Sequence, residues 1–206
     1  MDPASTWIGV VAASISAVAA IAAWRAAAAA NKTARELARI ESARRHRELT
    51  PKIQATISAA EGGMFRVSIR LDGPLDLGAL DSVTVAVRND TLDRTPMSVS
   101  NVTLDEANEH VWGPLRFTPG LDGAQGNGRR VGPVPLKVGD DRPFQMELST
   151  PPSWFGPDGY LRWRNTYQRG GIPVRLAVTC AKDDEATWEI PLELHPSSYE
   201  FPNVHT

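Results

Sequence analysis

Hydrophobic and polar residues follow a helical pattern before Pro51 and an alternating pattern after it. The stretch Ile8–Ala23 carries no charged residue, and the residues between it and Pro51 are mostly strong helix formers, without glycine or proline. We therefore expect one long helix that ends before Pro51. After Pro51, apolar residues alternate with polar ones, which is typical of strands with one buried face. The pattern predicts an N-terminal helix followed by a mainly β domain.

The alternating part, residues 51–196, predicts seven or more short strands. Such strands, separated by turn residues, are typical of a β-sandwich of the immunoglobulin-like or Greek-key kind. Pro173 and Pro191 each remove a backbone donor, so their strands are expected to lie at sheet edges or to bulge. Residues 197–206 are expected to form a loose tail.

Two short helical insertions interrupt the strand pattern. The first begins at Thr103, where Thr-Leu-Asp-Glu forms a capping box, and is expected to run to about Trp112. The second lies within residues 150–171, which interleave aromatic residues with arginines. A helix that starts near Asp158 would place Tyr160, Trp163 and Tyr167 on one face.

The second insertion supplies the candidate interaction surface of the domain. Aromatic and arginine side chains are favoured in binding hot spots. The candidate residues are Trp154, Phe155, Arg162, Trp163 and Arg164. The alternative is that the helix closes one open end of the sandwich, with its aromatic side chains buried and its arginines in water.

The uncharged N-terminal stretch predicts a transmembrane helix over residues 7–24, which extends to residue 30 if the helix tilts. Trp7 and Trp24 bound it, about 25 Å apart at 1.5 Å per residue. That separation suits the two interfaces of a bilayer, where Trp24 and the adjacent Arg25 would act as anchors beside Trp7. An alanine-rich soluble helix is the alternative. A signal peptide is disfavoured because the preceding segment has no basic side chain.

The charge distribution predicts the orientation of this helix. Residues 25–52 hold eight Lys or Arg against three acids, whereas residues 53–206 hold fourteen against twenty. The positive-inside rule therefore places residues 1–6 outside the cell and the β-domain in the cytoplasm. The basic juxtamembrane helix, residues 25–50, is expected to contact anionic headgroups through Lys32, Arg35 and Arg39.

The helical part has two other candidate partners, a second copy of the chain and a nucleic acid. Small residues four apart, such as Gly9 and Ala13, let helices approach closely in lipid, so a homo-oligomer is one alternative. A nucleic-acid partner is not expected, because the arginines have no adjacent aromatic residues and no known binding module follows.

The sequence shows no catalytic, cofactor or metal constellation. The four histidines are scattered without metal-ligand spacing, and Cys180 is the only cysteine. The glycine-rich stretch 120–128 lacks the Lys-Ser/Thr pair of a phosphate cradle. We therefore expect a protein that is not an enzyme and binds no cofactor or metal.

Four stretches of the chain, in this order, resemble a family of actinobacterial proteins that has no assigned activity. They are Arg44–Pro51 (RRHRELTP), Leu80–Asp90 (LDSVTVAVRND), Val111–Gly120 (VWGPLRFTPG) and Arg142–Glu147 (RPFQME). The resemblance covers most of residues 40 to 195. It implies a single-span membrane anchor followed by a C-terminal β-domain, and it transfers no residue roles.

The leading hypothesis is a membrane-tethered cytoplasmic interaction or adaptor module that binds an unknown protein partner. The first alternative is an oligomeric membrane scaffold assembled through the span and the basic helix. The second is an enzyme that acts on a membrane-proximal substrate.

Overall fold

The computed structural model describes residues 3–90, 102–169 and 171–195, without the side chains of residues 3–23 and 26. The chain divides into two compact units, Met1–Glu48 and Leu49–Thr206. The division falls where the sequence pattern changes from helical to alternating. The predicted tail, residues 197–206, lies outside the described residues.

The first unit contains one helix, α1 (Pro3–Glu48). It covers the region for which the sequence predicts a long helix, and it ends ahead of Pro51. Within the described part of the chain, no helix is both long and apolar enough to cross a membrane. Of the predicted membrane anchors, Trp24 and Arg25 are exposed, whereas Trp7 lies outside the described side chains.

The second unit is built from strands, as the alternating pattern predicts. Its described residues form eight strands in two four-stranded antiparallel sheets, which confirms the mainly β prediction. The strands are β1 (Lys52–Ala59), β2 (Phe65–Gly73), β3 (Ala79–Val87), β4 (Leu115–Phe117), β5 (Arg130–Lys137), β6 (Asp141–Leu148), β7 (Val174–Ala181) and β8 (Trp188–Leu194).

The strand order is β1-β2-β6-β4 in one sheet and β5-β3-β7-β8 in the other. Pro191 lies in the edge strand β8, so the prediction for that proline is confirmed. The prediction for Pro173 is wrong. Pro173 precedes the first residue of β7, which is a central strand with a regular register on both sides, because a proline outside the strand removes no ladder donor.

The core lies between the two sheets and follows the side-chain alternation of each strand. In β2, Phe65, Val67, Ile69 and Leu71 are completely buried, while intervening residues such as Arg66 are exposed. The opposite sheet supplies residues such as Val85 and Val178 in the same way. Burial of these side chains is the main stabilising term of the domain, at about 1.5–3 kcal/mol each.

The structure has a short helix in each of the two predicted insertions. The helix α2 (Leu104–Glu109) begins at Thr103 with the predicted capping box, since Thr103 and Glu106 bond each other's backbone N–H groups. It ends three residues before Trp112. The helix α3 (Gly159–Trp163) has Asp158 as its N-cap, where the sequence predicts a start, and continues as a π-helical turn, Arg164–Gln168.

Candidate functional site

Both helical insertions lie at one end of the sandwich. At this end β3 and β6 finish and β4 and β7 begin, because Val87 pairs with Leu176 and Leu115 pairs with Leu148. The chain leaves β3 toward α2 and leaves β6 toward α3. Residues that follow different strands are thereby brought together above the core.

A second group of buried side chains, the aromatic end cluster, occupies this end and is separate from the core between the sheets. It consists of Trp112, Trp163 and Tyr167, with Phe155 and Ile172 packed against them. Trp163 is at its centre. Its ring centroid lies 4.4 Å from that of Tyr167, 5.3 Å from Trp112 and 6.0 Å from Phe155. The tilted and edge-on orientations are those that aromatic pairs favour.

Each buried ring of the cluster also bonds a different chain segment through its polar atom. The indole N–H of Trp163 donates to the carbonyl of Ser149 at 3.1 Å and to its hydroxyl at 3.0 Å. The indole N–H of Trp112 donates to the carbonyl of Ala107 in α2 at 2.7 Å. The Tyr167 hydroxyl donates to the Asp90 carboxylate at 2.7 Å. The cluster thus joins α2, α3 and the ends of β3 and β6.

Further hydrogen bonds hold α2 and its flanking segment. The Asn89 side chain accepts from the backbone N–H of Trp112 at 3.0 Å and donates to the carbonyl of Asn108 at 3.2 Å. The Arg129 guanidinium donates to the carbonyls of Asn108 and His110. Burial, and then the neighbouring positive charge of Arg130, lower the pKa of Arg129. Arginine nevertheless remains charged in proteins, so a cation is held beneath the end of α2.

The outer side of α3 is exposed. Tyr160 is 55% and Leu161 59% exposed, although both belong to the same short helix as the buried Trp163. The Arg162 guanidinium lies 4.9 Å from the centroid of the Phe155 ring and donates to the Phe155 carbonyl at 2.9 Å. Trp154, which precedes Phe155, is half-buried and meets His110 edge-to-face at 5.9 Å.

The structure therefore divides the five residues of the predicted interaction surface. Trp163 is only 1% exposed, so its side chain is not part of the accessible surface and instead supports that surface from beneath. Trp154, Phe155 and Arg164 are half-buried, and Arg162 is exposed. The alternative, in which this helix closes one end of the sandwich with its aromatic side chains buried, holds for Trp163 and Tyr167. It does not hold for Tyr160, which faces solvent. The partly exposed residues form the aromatic surface: Trp154, Phe155, Tyr160, Leu161 and Arg162.

A shallow depression of about 450 Å³ adjoins Trp154. The Thr103 backbone N–H and hydroxyl lower the pKa of Glu106 by hydrogen bonding its carboxylate. Glu106 therefore presents a negative charge, and Glu109 follows it one turn later on α2. The depression combines acidic and aromatic groups, which suits a cationic side chain near Glu106. The charge of Glu109 is partly offset by the nearby Arg129 guanidinium. It is lined by Val102, Glu106, Glu109, His110, Asn127 and Trp154.

Several residues of this end were not identified from the sequence. Asn89 and Asp90 follow β3, whereas His110 and Ser149 belong to other segments, and the roles of all four depend on the topology that brings the strand ends together. The sequence places Trp112 in the helix that begins at Thr103, but no local signal indicates that Trp112 is buried against Trp163. The sequence signals that mark this end of the domain are the capping box at Thr103 and the aromatic density of residues 150–171.

The described residues contain no group of three His, Cys, Asp or Glu side chains that could hold a metal ion. Cys180 is completely buried in β7, and burial raises the pKa of its thiol to about 12. A thiol in this environment is not ionised at neutral pH and is inert as a nucleophile.

The basic residues expected to contact lipid are all exposed on α1, namely Lys32, Arg35 and Arg39. Exposure is necessary for contact with headgroups, but it is also the ordinary state of Lys and Arg on a helix. Comparisons of the chain with protein-family models, with curated proteins and with solved structures found no match.

Proposed function

We propose that this protein is a non-enzymatic interaction module, tethered to the cytoplasmic face of a membrane, whose β-domain binds a protein partner through the aromatic surface. The observation that carries the proposal is the two-sided nature of α3. Its inner side is fixed by Trp163, and its outer side presents Tyr160 and Leu161 to solvent. Large apolar side chains on a held helix are typical of binding surfaces.

The fixed inner side favours tight binding. Ordering a mobile side chain or loop on association costs about 0.5–1.5 kcal/mol for each rotamer-rich side chain. Here α3 is already held by the hydrogen bonds of Trp163 and Tyr167, and Arg162 is held against Phe155. A partner therefore meets a surface whose conformation is largely set before contact.

The charges next to the aromatic surface indicate the partner's chemistry. Glu106 and Glu109 line the depression together with Trp154, Arg129 offsets part of the charge of Glu109, and the domain as a whole has an acidic excess. A Lys or Arg side chain of the partner would gain both charge attraction and contact with the indole face. We infer a partner segment that places one basic side chain beside a large apolar one, the latter facing Tyr160 and Leu161.

The membrane anchor and the domain class complete the proposal. The span 7–24, the basic flank and the resemblance to single-span proteins are sequence features that support the anchor. The strand order supports an immunoglobulin-like, Greek-key sandwich. β1, β2 and β6 take the places of strands A, B and E in one sheet, and β3, β7 and β8 those of C, F and G in the other, whereas β4 and β5, beside β6 and β3, follow each other in the reverse of the immunoglobulin order.

Site-specific photocrosslinking in native membranes tests the partner. A photoreactive residue would replace Leu161, and a matched control would replace Asp140, which is exposed in the turn at the opposite end of the sandwich. We expect a heterologous protein adduct from position 161 that Tyr160→Ser and Arg162→Ser each weaken, and none from position 140. Equal adducts from both positions, or an adduct only with a second copy of this chain, would contradict the proposal.

Cysteine accessibility tests the orientation. Because Cys180 is buried, a reporter cysteine is needed, and Gln125 in an exposed loop provides one. We expect a membrane-impermeant thiol reagent to label Ser5→Cys in intact cells, and to label Gln125→Cys only after permeabilisation. Labelling of Gln125→Cys in intact cells would place the β-domain outside.

A further inference from the structure

The four edge strands of the sandwich differ in how they are protected from pairing with other strands. β4 has only three residues. β5 contains Pro133 and Pro135, and its register with β3 is irregular. β8 contains Pro191 between Glu189 and Glu193. Shortness, proline, irregular register and charge are the devices by which proteins block sheet edges.

The remaining edge, β1, has almost none of these devices. It has no proline, and Lys52 is its only charged residue. Its single irregularity lies between Lys52 and Ile53, so that the strand is regular from Ile53 to Ala59. An eight-residue edge with these properties is a template for another strand.

The register with β2 shows which backbone groups face the open edge. The N–H of Ala60 donates to the carbonyl of Met64 at 2.8 Å, so pairs of the same parity, such as Thr56 with Ser68, are the hydrogen-bonded ones. The odd-numbered residues from Ile53 to Ala59 therefore direct their N–H and C=O groups away from β2. Among the described residues, none bonds to these groups.

The apolar side chains at this edge are incompletely covered. Ile53 and Ala55 in β1 pack against the core but remain half-exposed, and so do Ile190 and Leu192 in β8. β1 and β8 neighbour each other across the sandwich. A strand added to β1 would extend the sheet over this strip and remove apolar surface from water.

We propose that β1 pairs antiparallel with β1 of a second copy of this chain, in a register centred on Thr56. This register pairs Ile53 with Ala59 and Ala55 with Ile57 of the other copy, and so satisfies all four odd-numbered residues. The outward row of Gln54, Thr56 and Ser58 is neutral, and Lys52 lies away from its counterpart, so no like charges oppose. In a two-fold pair, each β1 edge is occupied by the other, so no further copy can pair there and the assembly stops at a dimer.

Disulfide trapping of the full chain tests the register. Two-fold pairing places Thr56 opposite its counterpart at about 4.5 Å between Cα atoms, within the range that a disulfide bridges. We expect Thr56→Cys to form a covalent dimer under mild oxidation. The matched control is Ser68→Cys, which lies beside Thr56 on the same face but one strand inward. Absence of a dimer from Thr56→Cys, or equal crosslinking of both variants, would overturn the proposal.

Opposite charges at the same position separate self-pairing from pairing with a different partner. Thr56→Lys and Thr56→Glu each place like charges opposite one another, and we expect each to weaken dimerisation by about fivefold. Mixing the two full-length variants pairs Lys with Glu and is expected to restore a mixed dimer. If the mixture stays as weak as the single variants, β1 does not pair with its own copy.

Discussion

The two buried clusters of the β-domain are built on different principles. The core between the sheets consists mainly of aliphatic side chains, such as Val67, Ile69 and Val178, which have no polar atom to bond. In the aromatic end cluster, each of Trp112, Trp163 and Tyr167 packs its ring and also directs one hydrogen bond at a particular backbone or side-chain group. Burial in the core is therefore non-directional, whereas the end cluster specifies positions.

The difference between the two clusters explains how the aromatic surface can be built on chain segments that are not strands. Strand ladders fix the backbone of the sheets, whereas the segments that follow β3 and β6 are held by isolated backbone bonds, such as those from the N–H groups of Asp90 and Ser149. The hydrogen bonds of Trp163 to Ser149 and of Tyr167 to Asp90 add side-chain restraints to these bonds at this end. The aromatic surface is therefore expected to depend on the end cluster more than on the core.

The largest expected effect tests how much the end cluster contributes to folding. Trp163→Ala removes the central ring and leaves a cavity, which costs about 3–5 kcal/mol. Chemical denaturation would measure this loss, and the rate of thiol labelling at Cys180 provides a second readout, since the buried thiol reacts only when the β-domain opens. A Trp163→Ala variant as stable as the wild type would mean that the end cluster does not contribute to the stability of the β-domain.

The second prediction tests the hydrogen bond of the Trp163 indole N–H as distinct from the packing of its ring. Trp163→Phe keeps an aromatic ring but makes it smaller and removes the N–H that bonds Ser149, and the unsatisfied buried acceptor alone costs about 1–3 kcal/mol. Its matched control in the core is Phe144→Leu, which also removes buried volume but breaks no hydrogen bond and is therefore expected to cost less. If Trp163→Phe is the milder of the two, the indole N–H does not position the segment.

A smaller effect is expected from the outer bond of the cluster. Tyr167→Phe deletes only the hydroxyl that donates to the Asp90 carboxylate and is expected to cost about 1.5 kcal/mol, the lower end for a bond to a charged group, because the pair is half-buried. A double-mutant cycle with Asp90→Ala would isolate the coupling between the two side chains. Additive effects of the two changes would show that the hydroxyl and the carboxylate do not interact in solution.

The same contrast governs how far the sequence predicts the structure. Alternation is a local signal, so β2, β3 and β7 follow from it directly. β4 is too short to show alternation, and prolines mask most of β5, so that only the end of β5 at Leu136 is visible in the pattern. The edge position of β8 follows from Pro191. A proline has this consequence only inside a strand, which is why the same rule fails for Pro173.

For the candidate site, the sequence marks the aromatic segment but not which of its side chains are buried. Tyr160 and Trp163 are three residues apart, yet the first is exposed and the second is covered by His110, Trp112 and Phe155. That outcome depends on contacts between distant segments. The capping box at Thr103 is the opposite case, because donor and acceptor are three residues apart and the motif is sufficient to predict it.

The smallest predicted effect concerns this local motif and depends on pH. The pKa of Glu106 is lowered by the bonds from Thr103, so the stabilisation is present above the ordinary pKa of a glutamate and is lost as the pH falls through the lowered one. Amide exchange at Glu106, whose N–H donates to the Thr103 hydroxyl at 3.2 Å, would follow the first turn of α2. We expect protection to decline on acidification in the wild type and to be insensitive in Glu106→Gln, while Glu109→Gln behaves as the wild type. The sandwich core, monitored by amide protection in β2 relative to the intrinsic exchange rate at each pH, should remain closed over the same pH range, because no part of the motif belongs to it.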